Sequence, residues 1–266
     1  MTDMEKVKIH GVPETMLQTL FARAAHSQKK EHKFYDAKAI EIVKQLDYDF
    51  SKAEKDAAMS SGVIARTILL DQMVGAFLEE HPDATVVNIA FGLDTRVYRL
   101  DNGQVRWYNL DLPEVIDIRR RFLTEHGRIS MIAKSAMDES WAAKIEDPTG
   151  EVLVVIEGLV MYLTEADVKK ILSIICSRFE HAEIIMEIMN PFIMRYMKEK
   201  SIEASKARFT WGLKSGKELE SIVSGLTWIE DVSLVEGMKE LYPVYKLLGW
   251  IQPVKNLSNK LVILRK

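Results

Sequence analysis

Cysteine is almost absent from this chain of 266 residues, and several other features are scarce. The single cysteine, Cys176, has no partner for an internal disulfide. The first residues, with Asp3, Glu5 and Lys6, lack the apolar stretch of a secretory signal. Uninterrupted apolar runs such as Val152 to Ile156 stop far short of the ~18 residues that span a bilayer. We therefore expect a cytoplasmic protein with no membrane-spanning segment.

An excess of either charge is also missing, since 36 basic side chains oppose 39 acidic ones and the net charge is -3. Without a basic excess, the chain is not expected to bind the phosphate backbone of a nucleic acid. No cluster of Cys and His has metal-ligand spacing, and neither a P-loop nor a G-x-S-x-G motif occurs. Metal chemistry, nucleotide hydrolysis and acyl transfer are therefore not expected.

What the sequence does contain is a composition typical of a folded domain, 47% hydrophobic and 28% charged. Its 13 Gly and 7 Pro are spread thinly, so no linker or repeat array is indicated. We interpret residues 1–266 as one domain. Helical spacing of apolar residues predicts three helices within residues 1–80, which would form an N-terminal cap.

From residue 85 onward, short apolar or β-branched runs alternate with amphipathic segments. The runs predicted to be strands are Thr85 to Phe91, Val105 to Leu110, Ile129 to Ala133, Val152 to Ile156, Ile184 to Met189, Trp228 to Val235 and Lys260 to Leu264. Helical patterns open near Thr95, Pro113, Asp138 and Thr164. This alternation predicts an α/β fold, a doubly wound and mostly parallel sheet with helices on both faces. The last two runs have only weak helical periodicity between them, so we expect the last strand to be antiparallel.

A ligand site is expected just after the first strand, because doubly wound sheets bind ligands where the strand order reverses. Gly92 occupies that turn, and Asp111 ends the next strand nineteen residues later, near the spacing at which an acid binds a nucleotide ribose. The G-x-G-x-x-G turn that receives pyrophosphate is missing, and Asp94 would repel it. S-adenosylmethionine, which has a ribose but no phosphate, fits this acidic turn better. The alternative is that Asp111 only caps the helix that starts at Pro113.

Glu157, at the end of the fourth predicted strand, should face the same crevice as Gly92 and Asp111. Its carboxylate could pair with the amino group of a methionine moiety. As an alternative, Glu157 is a helix-capping acid.

Three motifs in this order resemble the leucine carboxyl methyltransferase family, which includes small-molecule O-methyltransferases of polyketide biosynthesis. The motifs are IAFGLDTRVYRL at residues 89–100, WYNLDLPEV at 107–115 and EGLVMYL at 157–163. Arg66 with Asp71, and Arg23 with Asp36, resemble the N-terminal helices of that family. The resemblance covers most of residues 20–180.

The resemblance implies a class I S-adenosylmethionine-dependent methyltransferase with a seven-stranded, Rossmann-like sheet. It further implies a role for each matching residue: Arg66 for the cofactor carboxylate, Gly92 beside its methionine part, Asp111 for the ribose hydroxyls, Glu157 for the amino group, and Ser135 and Ala136 for the adenine. The sequence departs from the family at Ser135-Ala136, where an Asp-Leu pair is usual, and at Ala90-Phe91, where Gly-Ala is usual. His26 also stands where a Glu is common.

The methyl acceptor is expected to meet a lid over residues 190–226. Residues 190–216 hold six basic and two acidic side chains together with aromatic and methionine residues suited to an apolar ligand body. We predict that Arg195, Arg208 and Phe192 bind the acceptor and that Tyr162 and Tyr196 orient it. Because the lid offers no histidine or aspartate as a base, the cations favour a carboxylic acid, which is already ionised at pH 7. The alternatives are a solvated helix face for the cations and core packing for the tyrosines.

Two other functions stay open on the sequence alone. The Tyr-x-x-x-Lys spacings at Tyr196 and Tyr242 match a nicotinamide-dependent reductase, although the glycines such an enzyme needs are missing. The departures from the family motifs would also suit a cofactor-binding module without catalysis. The sequence does not identify the acceptor or the oligomeric state.

Overall fold

The computed structural model describes residues 14–147, 149–196 and 208–266. Four helices precede the sheet: α1 (Thr15–Ser27), α2 (Ala37–Gln45), α3 (Ser51–Lys55) and α4 (Ala57–Glu80). The prediction of three helices was therefore wrong by one, because the five-residue α3 is too short to show an apolar period.

Seven strands follow, and they match the seven predicted runs. They are β1 (Thr85–Ile89), β2 (Arg106–Asp111), β3 (Ile129–Ala133), β4 (Glu151–Ile156), β5 (His181–Ile188), β6 (Thr227–Ser233) and β7 (Lys260–Arg265). The sheet order is β3-β2-β1-β4-β5-β7-β6. Pairings among β1 to β5 are parallel, and β7 runs antiparallel to both of its neighbours. The doubly wound fold with an antiparallel last strand is confirmed.

The helices between the strands are α5 (Arg96–Leu100), α6 (Pro113–Arg119), α7 (Glu165–Arg178), α8 (Pro191–Tyr196) and α9 (Glu218–Ile222). Three short helices fill the weakly periodic connection before β7: α10 (Val235–Leu241), α11 (Pro243–Leu248) and α12 (Gln252–Leu257). The pattern near Asp138 forms a 3-10 helix, Glu139–Lys144. At the start of α7, Thr164 and Asp167 form a capping box.

The core lies on both faces of the sheet because successive residues of a strand point to opposite sides. In β1, Val87 packs in the cluster that includes α7, whereas Val86 packs in the cluster that includes α4. Both side chains are fully buried. The near-continuous apolar strands of the sequence therefore reflect a sheet covered on both faces.

α4 is the longest helix and crosses one face of the sheet. By length and composition alone it could span a membrane, and 56% of its most apolar window is buried inside the protein. Its apolar residues enter two core clusters, and it also carries Arg66 and Asp71, both of which form ion pairs. In the structure α4 is a core helix that brings charged side chains to the end of the sheet.

Candidate functional site

A cleft of about 270 Å³ opens at the carboxyl ends of the strands, where the order reverses between β1 and β4. Its walls come from α1, α4 and the segments that follow β1 to β4. Seven of the predicted site residues line it together: Arg66, Gly92, Asp111, Ser135, Ala136, Glu157 and Tyr162. The structure therefore brings the three sequence motifs into one site.

The turn after β1 is held tightly against α1. Gly92 has a φ of +56°, a backbone conformation that favours glycine, and an added Cβ there would lie 2.8 Å from the Cβ of Met16. The backbone N–H of Gly92 donates a hydrogen bond to Asp111 at 2.8 Å. Glycine at this position lets the turn approach both α1 and Asp111.

Ala90, two residues earlier, also adopts a left-handed conformation, with a φ of +53°. An L side chain in this region costs roughly 1–2 kcal/mol, which a glycine would not incur. The departure from Gly to Ala at this position therefore leaves strain in the turn.

We expect Ala90→Gly to raise the free energy of unfolding by about 0.5–1 kcal/mol, because relief of the strain outweighs the greater freedom of glycine in the unfolded chain. Thermal denaturation would measure this as a Tm rise of about 2 °C. Ala58→Gly, at an exposed position of α4, is the matched control and should lower the Tm. A lower Tm for both variants would contradict the strain argument.

Asp111 lies at the end of β2 and is 9% exposed. Its two oxygens accept hydrogen bonds from different backbone groups, Oδ2 from Gly92 and Oδ1 from the N–H of Leu112 at 2.7 Å. Burial raises the pKa of Asp111 to about 6, and these two bonds only partly oppose that shift. Each oxygen retains a lone pair that a ligand in the cleft could use.

Glu157 lies between two arginines at the end of β4. Its Oε1 is 2.6 Å from Nε of Arg66, and its Oε2 is 2.9 Å from Nη2 of Arg96. Burial opposes ionisation, but the two guanidinium groups outweigh it and hold the pKa of Glu157 below its usual range. Any cationic group that binds Glu157 would therefore join an ion pair that already exists.

Arg96 connects three carboxylates beneath the cleft. It contacts Asp71 at 2.8 Å, Asp94 at 2.8 Å and Glu157, and its side chain is 1% exposed. Asp94 also accepts a bond from Asn88 at the end of β1. This arrangement fixes the turn after β1 relative to α4 and β4.

A second buried network attaches α1 and α2 to the same turn. Asp36 accepts hydrogen bonds from Arg23, Thr95 and Arg99. Arg23 also donates to the carbonyl oxygen of Leu93 at 2.7 Å. Charged groups therefore bind α1 and α2 to the turn after β1, and α1 forms a wall of the cleft.

Sequence reasoning missed Glu187, which lies on β5 and is 2% exposed. Its Oε2 accepts bonds from Arg66 at 2.7 Å and from the N–H of Gly158 at 3.0 Å. Burial raises the pKa of Glu187, and Arg66 opposes that rise. The available signal is a single acid inside the apolar run Ile184 to Met189, which the sequence pattern predicts only as a strand.

Ser135 and Ala136 follow β3 on the far side of the cleft. The Ser135 hydroxyl accepts a bond from the N–H of Met137, and the Ala136 carbonyl accepts one from the Trp141 indole at 3.0 Å. Both residues lie on the cleft wall with Leu112 and Met137. This part of the wall is mostly apolar and suits a flat ring.

The predicted lid residues lie elsewhere. Phe192, Arg195 and Arg208 are exposed and are not among the residues that line the cleft. Tyr162 does line it and packs against Phe209 with the two rings tilted by 34° and their centroids 5.3 Å apart. The side chain of Tyr196 and residues 197–207, with Lys198, Lys200 and Lys206, lie outside the described residues. The acceptor roles assigned to this segment stay predictions.

In the described part of the chain, no group of three His, Cys, Asp or Glu side chains is placed so that it could hold a metal ion. The acids of the cleft are bound instead to arginines and to backbone N–H groups. The site therefore consists of ionised, preorganised side chains around an apolar cavity.

Comparison with known proteins gives consistent matches. A family model described as leucine carboxyl methyltransferase matches residues 16–176. The tetracenomycin polyketide synthesis O-methyltransferase TcmP of Streptomyces glaucescens is 34% identical over 92% of both chains. The S-adenosyl-L-methionine-dependent methyltransferase dpfgK of Gibberella zeae is 30% identical over 97% of this chain and 94% of its own.

Solved structures share the fold at low identity. A candidate methyltransferase from Thermobifida fusca superposes with a TM-score of 0.60 at 14% identity, over 92% of this chain and 94% of its own. The magnesium protoporphyrin IX methyltransferase ChlM of Synechocystis PCC 6803, solved with bound SAH, gives a TM-score of 0.51 at 8% identity. That match covers 81% of this chain and 93% of the other.

Proposed function

We propose, because the chain belongs to the leucine carboxyl methyltransferase family, that it transfers a methyl group from S-adenosylmethionine to an oxygen atom of a small-molecule acceptor. We further propose that this oxygen belongs to a carboxylate. Methyl transfer that depends on S-adenosylmethionine follows from the family and from the relatives. Oxygen as the acceptor atom is supported by the name of the Streptomyces relative, and a carboxylate by the name of the family.

The observation that carries the proposal is the fit of the cleft to this cofactor. Gly92 lets the turn after β1 pack directly against α1, because an added Cβ would lie 2.8 Å from the Cβ of Met16. Asp111 is a buried carboxylate able to accept bonds from two ribose hydroxyls, and the apolar wall at Ala136 suits an adenine. Arg66 would bind the cofactor carboxylate, and Glu157 would attract its amino group.

The bound cofactor supplies an electrophilic methyl group on a sulfonium, which is transferred by an in-line displacement. The main contribution of the protein is then to align the nucleophilic oxygen, which can be worth roughly 7–11 kcal/mol. Tyr162 lines the cleft and would orient the acceptor through its hydroxyl. The buried ion pairs of Arg66 and Arg96 would hold the cofactor-binding residues in place before the acceptor enters.

A carboxylate acceptor suits this site because it needs no proton removed at neutral pH. Among the residues that the structure describes, no histidine lines the cleft, and its acids, Asp94, Asp111 and Glu157, already accept hydrogen bonds from arginines or backbone N–H groups. A phenol, with a reference pKa near 10, would usually require such a base.

A ligand panel followed by turnover tests the proposal. We expect S-adenosylmethionine and its demethylated product to raise the Tm, whereas NADH and ATP should not, because only ligands of the folded state stabilise it. Formation of S-adenosylhomocysteine in the presence of small carboxylic acids would then report transfer. Stabilisation by NADH would favour the reductase, and binding without turnover across the panel would favour the non-catalytic module.

Cofactor affinity should depend on pH through Asp111, whose pKa is about 6 in the ligand-free protein. Only the ionised carboxylate can accept hydrogen bonds from both ribose hydroxyls. Affinity should therefore be constant above about pH 7 and fall as the pH drops through 6, approaching a tenfold loss per pH unit. Calorimetric titrations between pH 5 and 7.5 would measure this, with Asp111→Asn as a variant that should show little pH dependence. An affinity that does not change with pH in the wild type would contradict the assignment.

For the lid, we expect Arg195→Gln or Arg208→Gln to raise the KM of a carboxylate acceptor severalfold while the cofactor Kd stays nearly constant. Charge attraction at exposed arginines should also weaken at high salt, since the screening length falls from about 10 Å at 0.1 M to about 3 Å at 1 M. Steady-state kinetics at both salt concentrations would test this. If only neutral phenols or thiols are methylated, and neither arginine nor salt changes the kinetics, the carboxylate proposal is wrong.

A further inference from the structure

A smaller cavity of about 90 Å³ lies beside the cleft. The two share five lining residues: Thr15, Thr19, Arg66, Gly158 and Tyr162. Arg66 belongs to the end of the cleft where the methionine part of the cofactor is expected. Ser135 and Ala136, on the expected adenine wall, line the cleft but not the small cavity. The small cavity therefore adjoins the end of the cleft at which the methyl group would be transferred.

One face of α4 forms a wall of the small cavity. The α4 residues that line it are Met59, Gly62, Val63 and Arg66. Their spacing of i, i+3, i+4 and i+7 places them on the same side of the helix. Gly62, in the middle of this face, has no side chain, and a Cβ added there would meet no atom within 4 Å. Any other residue at position 62 would therefore enter space that is open beside α4.

The surface that the small cavity offers to a ligand is mainly apolar. Its apolar side chains are Met59, Val63, Met161, Met189, Phe209 and Leu234. Three polar atoms of its wall residues are fully buried, Oε1 of Gln18, Oδ1 of Asn259 and Nε of Arg66, so they present no surface to a ligand. Methionine and phenylalanine side chains are suited to contact with an apolar group, and with a ring in particular.

The charges of the wall decide which end of an acceptor the small cavity suits. Among the described residues that line it, Arg66 is the one cation, and it already pairs with Glu157 and Glu187. Glu187 itself lies in the same wall. A further carboxylate buried there would meet a like charge and find no unpaired cation. The apolar end of a carboxylic acid therefore suits the small cavity, with its carboxylate toward the cleft.

We propose that Gly62 is a specificity-determining residue, because the space left by its missing side chain admits the apolar body of the methyl acceptor. This inference rests on the proposed function and narrows its substrate class to carboxylic acids that carry an apolar group, such as a ring, next to the carboxylate. Burial of that group stabilises the complex and holds the carboxylate oxygen at the methyl end of the cofactor.

Gly62→Leu tests the inference because it fills the open space with a strong helix former. The probes are phenylacetate and acetate, which differ by one ring, added to the protein saturated with S-adenosylhomocysteine. Calorimetry should show that the wild type binds phenylacetate at least tenfold more tightly than acetate. In Gly62→Leu that preference should fall severalfold, whereas the affinity for S-adenosylhomocysteine should stay constant.

Gly75→Leu is the matched control. Gly75 also lies on α4 with open space around an added Cβ, and it lines neither the cleft nor the small cavity. This variant should keep the wild-type preference for phenylacetate. Gly62→Ala should raise the Tm, since alanine favours the helix and its Cβ fits without a collision. A lower Tm in Gly62→Ala would show that the space is not open and would overturn the inference.

Equal binding of the two acids by the wild type, binding of neither, or a preference that survives Gly62→Leu would also overturn it. So would an equal loss of preference in Gly75→Leu. Weaker binding of S-adenosylhomocysteine in Gly62→Leu alone would mean that the small cavity holds part of the cofactor, which is the opposite assignment. Formation of S-adenosylhomocysteine from S-adenosylmethionine with any carboxylic acid tests the proposed function separately, so the two can fail independently.

Discussion

Replacement of Asp111 by alanine should weaken S-adenosylmethionine binding at least tenfold, and by more than about a hundredfold if both ribose bonds are lost in full. The carboxylate would accept charge-assisted hydrogen bonds from the two ribose hydroxyls, each worth on the order of 1.5–3 kcal/mol. Its removal also leaves the backbone N–H groups of Gly92 and Leu112 without their acceptor. Isothermal titration with the cofactor and with its demethylated product would measure the loss.

Asp117→Ala is the matched control, because Asp117 lies on α6, the helix that follows Asp111, and is exposed beside Arg120. Its cofactor affinity should equal that of the wild type. Asp111→Asn should fall between the wild type and Asp111→Ala, since one amide oxygen still accepts. Unchanged affinity in Asp111→Ala, with the fold intact by circular dichroism, would reduce Asp111 to a residue that only fixes the turn.

The strands and the position of the cleft could be predicted because both follow from local pattern. Short apolar runs such as Val152 to Ile156 are the signature of strands buried on both faces, and parallel strands place their carboxyl ends together. Gly92, Asp111 and Glu157 each follow a predicted strand directly. To predict that these three residues meet in one site therefore required only the order of the strands.

The ion pairs were not predictable in the same way, since they join residues far apart in the chain. Arg66 on α4 meets Glu157 and Glu187 only after the helix packs across the sheet. Likewise, nothing near Glu187 in the sequence shows that Gly158, two residues after the end of the neighbouring strand β4, donates its N–H to Glu187. Residues brought together by such long-range packing cannot be identified from local pattern.

Arg96→Met should produce the largest loss of stability in the site. Arg96 contacts Asp71, Asp94 and Glu157, and methionine would keep part of its length while leaving three carboxylates without that partner. Removal of one member of a buried ion pair typically costs about 3–5 kcal/mol. For a chain of this size the expected fall in Tm is roughly 10 °C. Cofactor binding should weaken as well, because Glu157 and the turn after β1 lose a shared anchor.

The pH dependence of this loss of stability distinguishes an electrostatic contribution of Arg96 from a packing contribution. Arg96 and its neighbours outweigh burial and hold the pKa values of Asp94 and Glu157 below their usual range in the folded protein. A depressed pKa stabilises the fold above the unfolded value of about 4, and that stabilisation is lost as the pH falls below it. The difference in unfolding free energy between wild type and Arg96→Met should therefore be full above about pH 5 and shrink toward pH 3.

Arg128→Met provides the comparison at the surface, where Arg128 pairs with Asp101 at 3.0 Å with both side chains partly exposed. Its effect on stability should be much smaller than that of Arg96→Met, because solvent screens an exposed ion pair. Urea denaturation of both variants across this pH range would measure the two effects. If the cost of Arg96→Met is as small as that of Arg128→Met, the carboxylates around Arg96 do not depend on it. If the cost is large but constant from pH 7 to 3, Arg96 acts through packing, and the electrostatic account of the cleft is wrong.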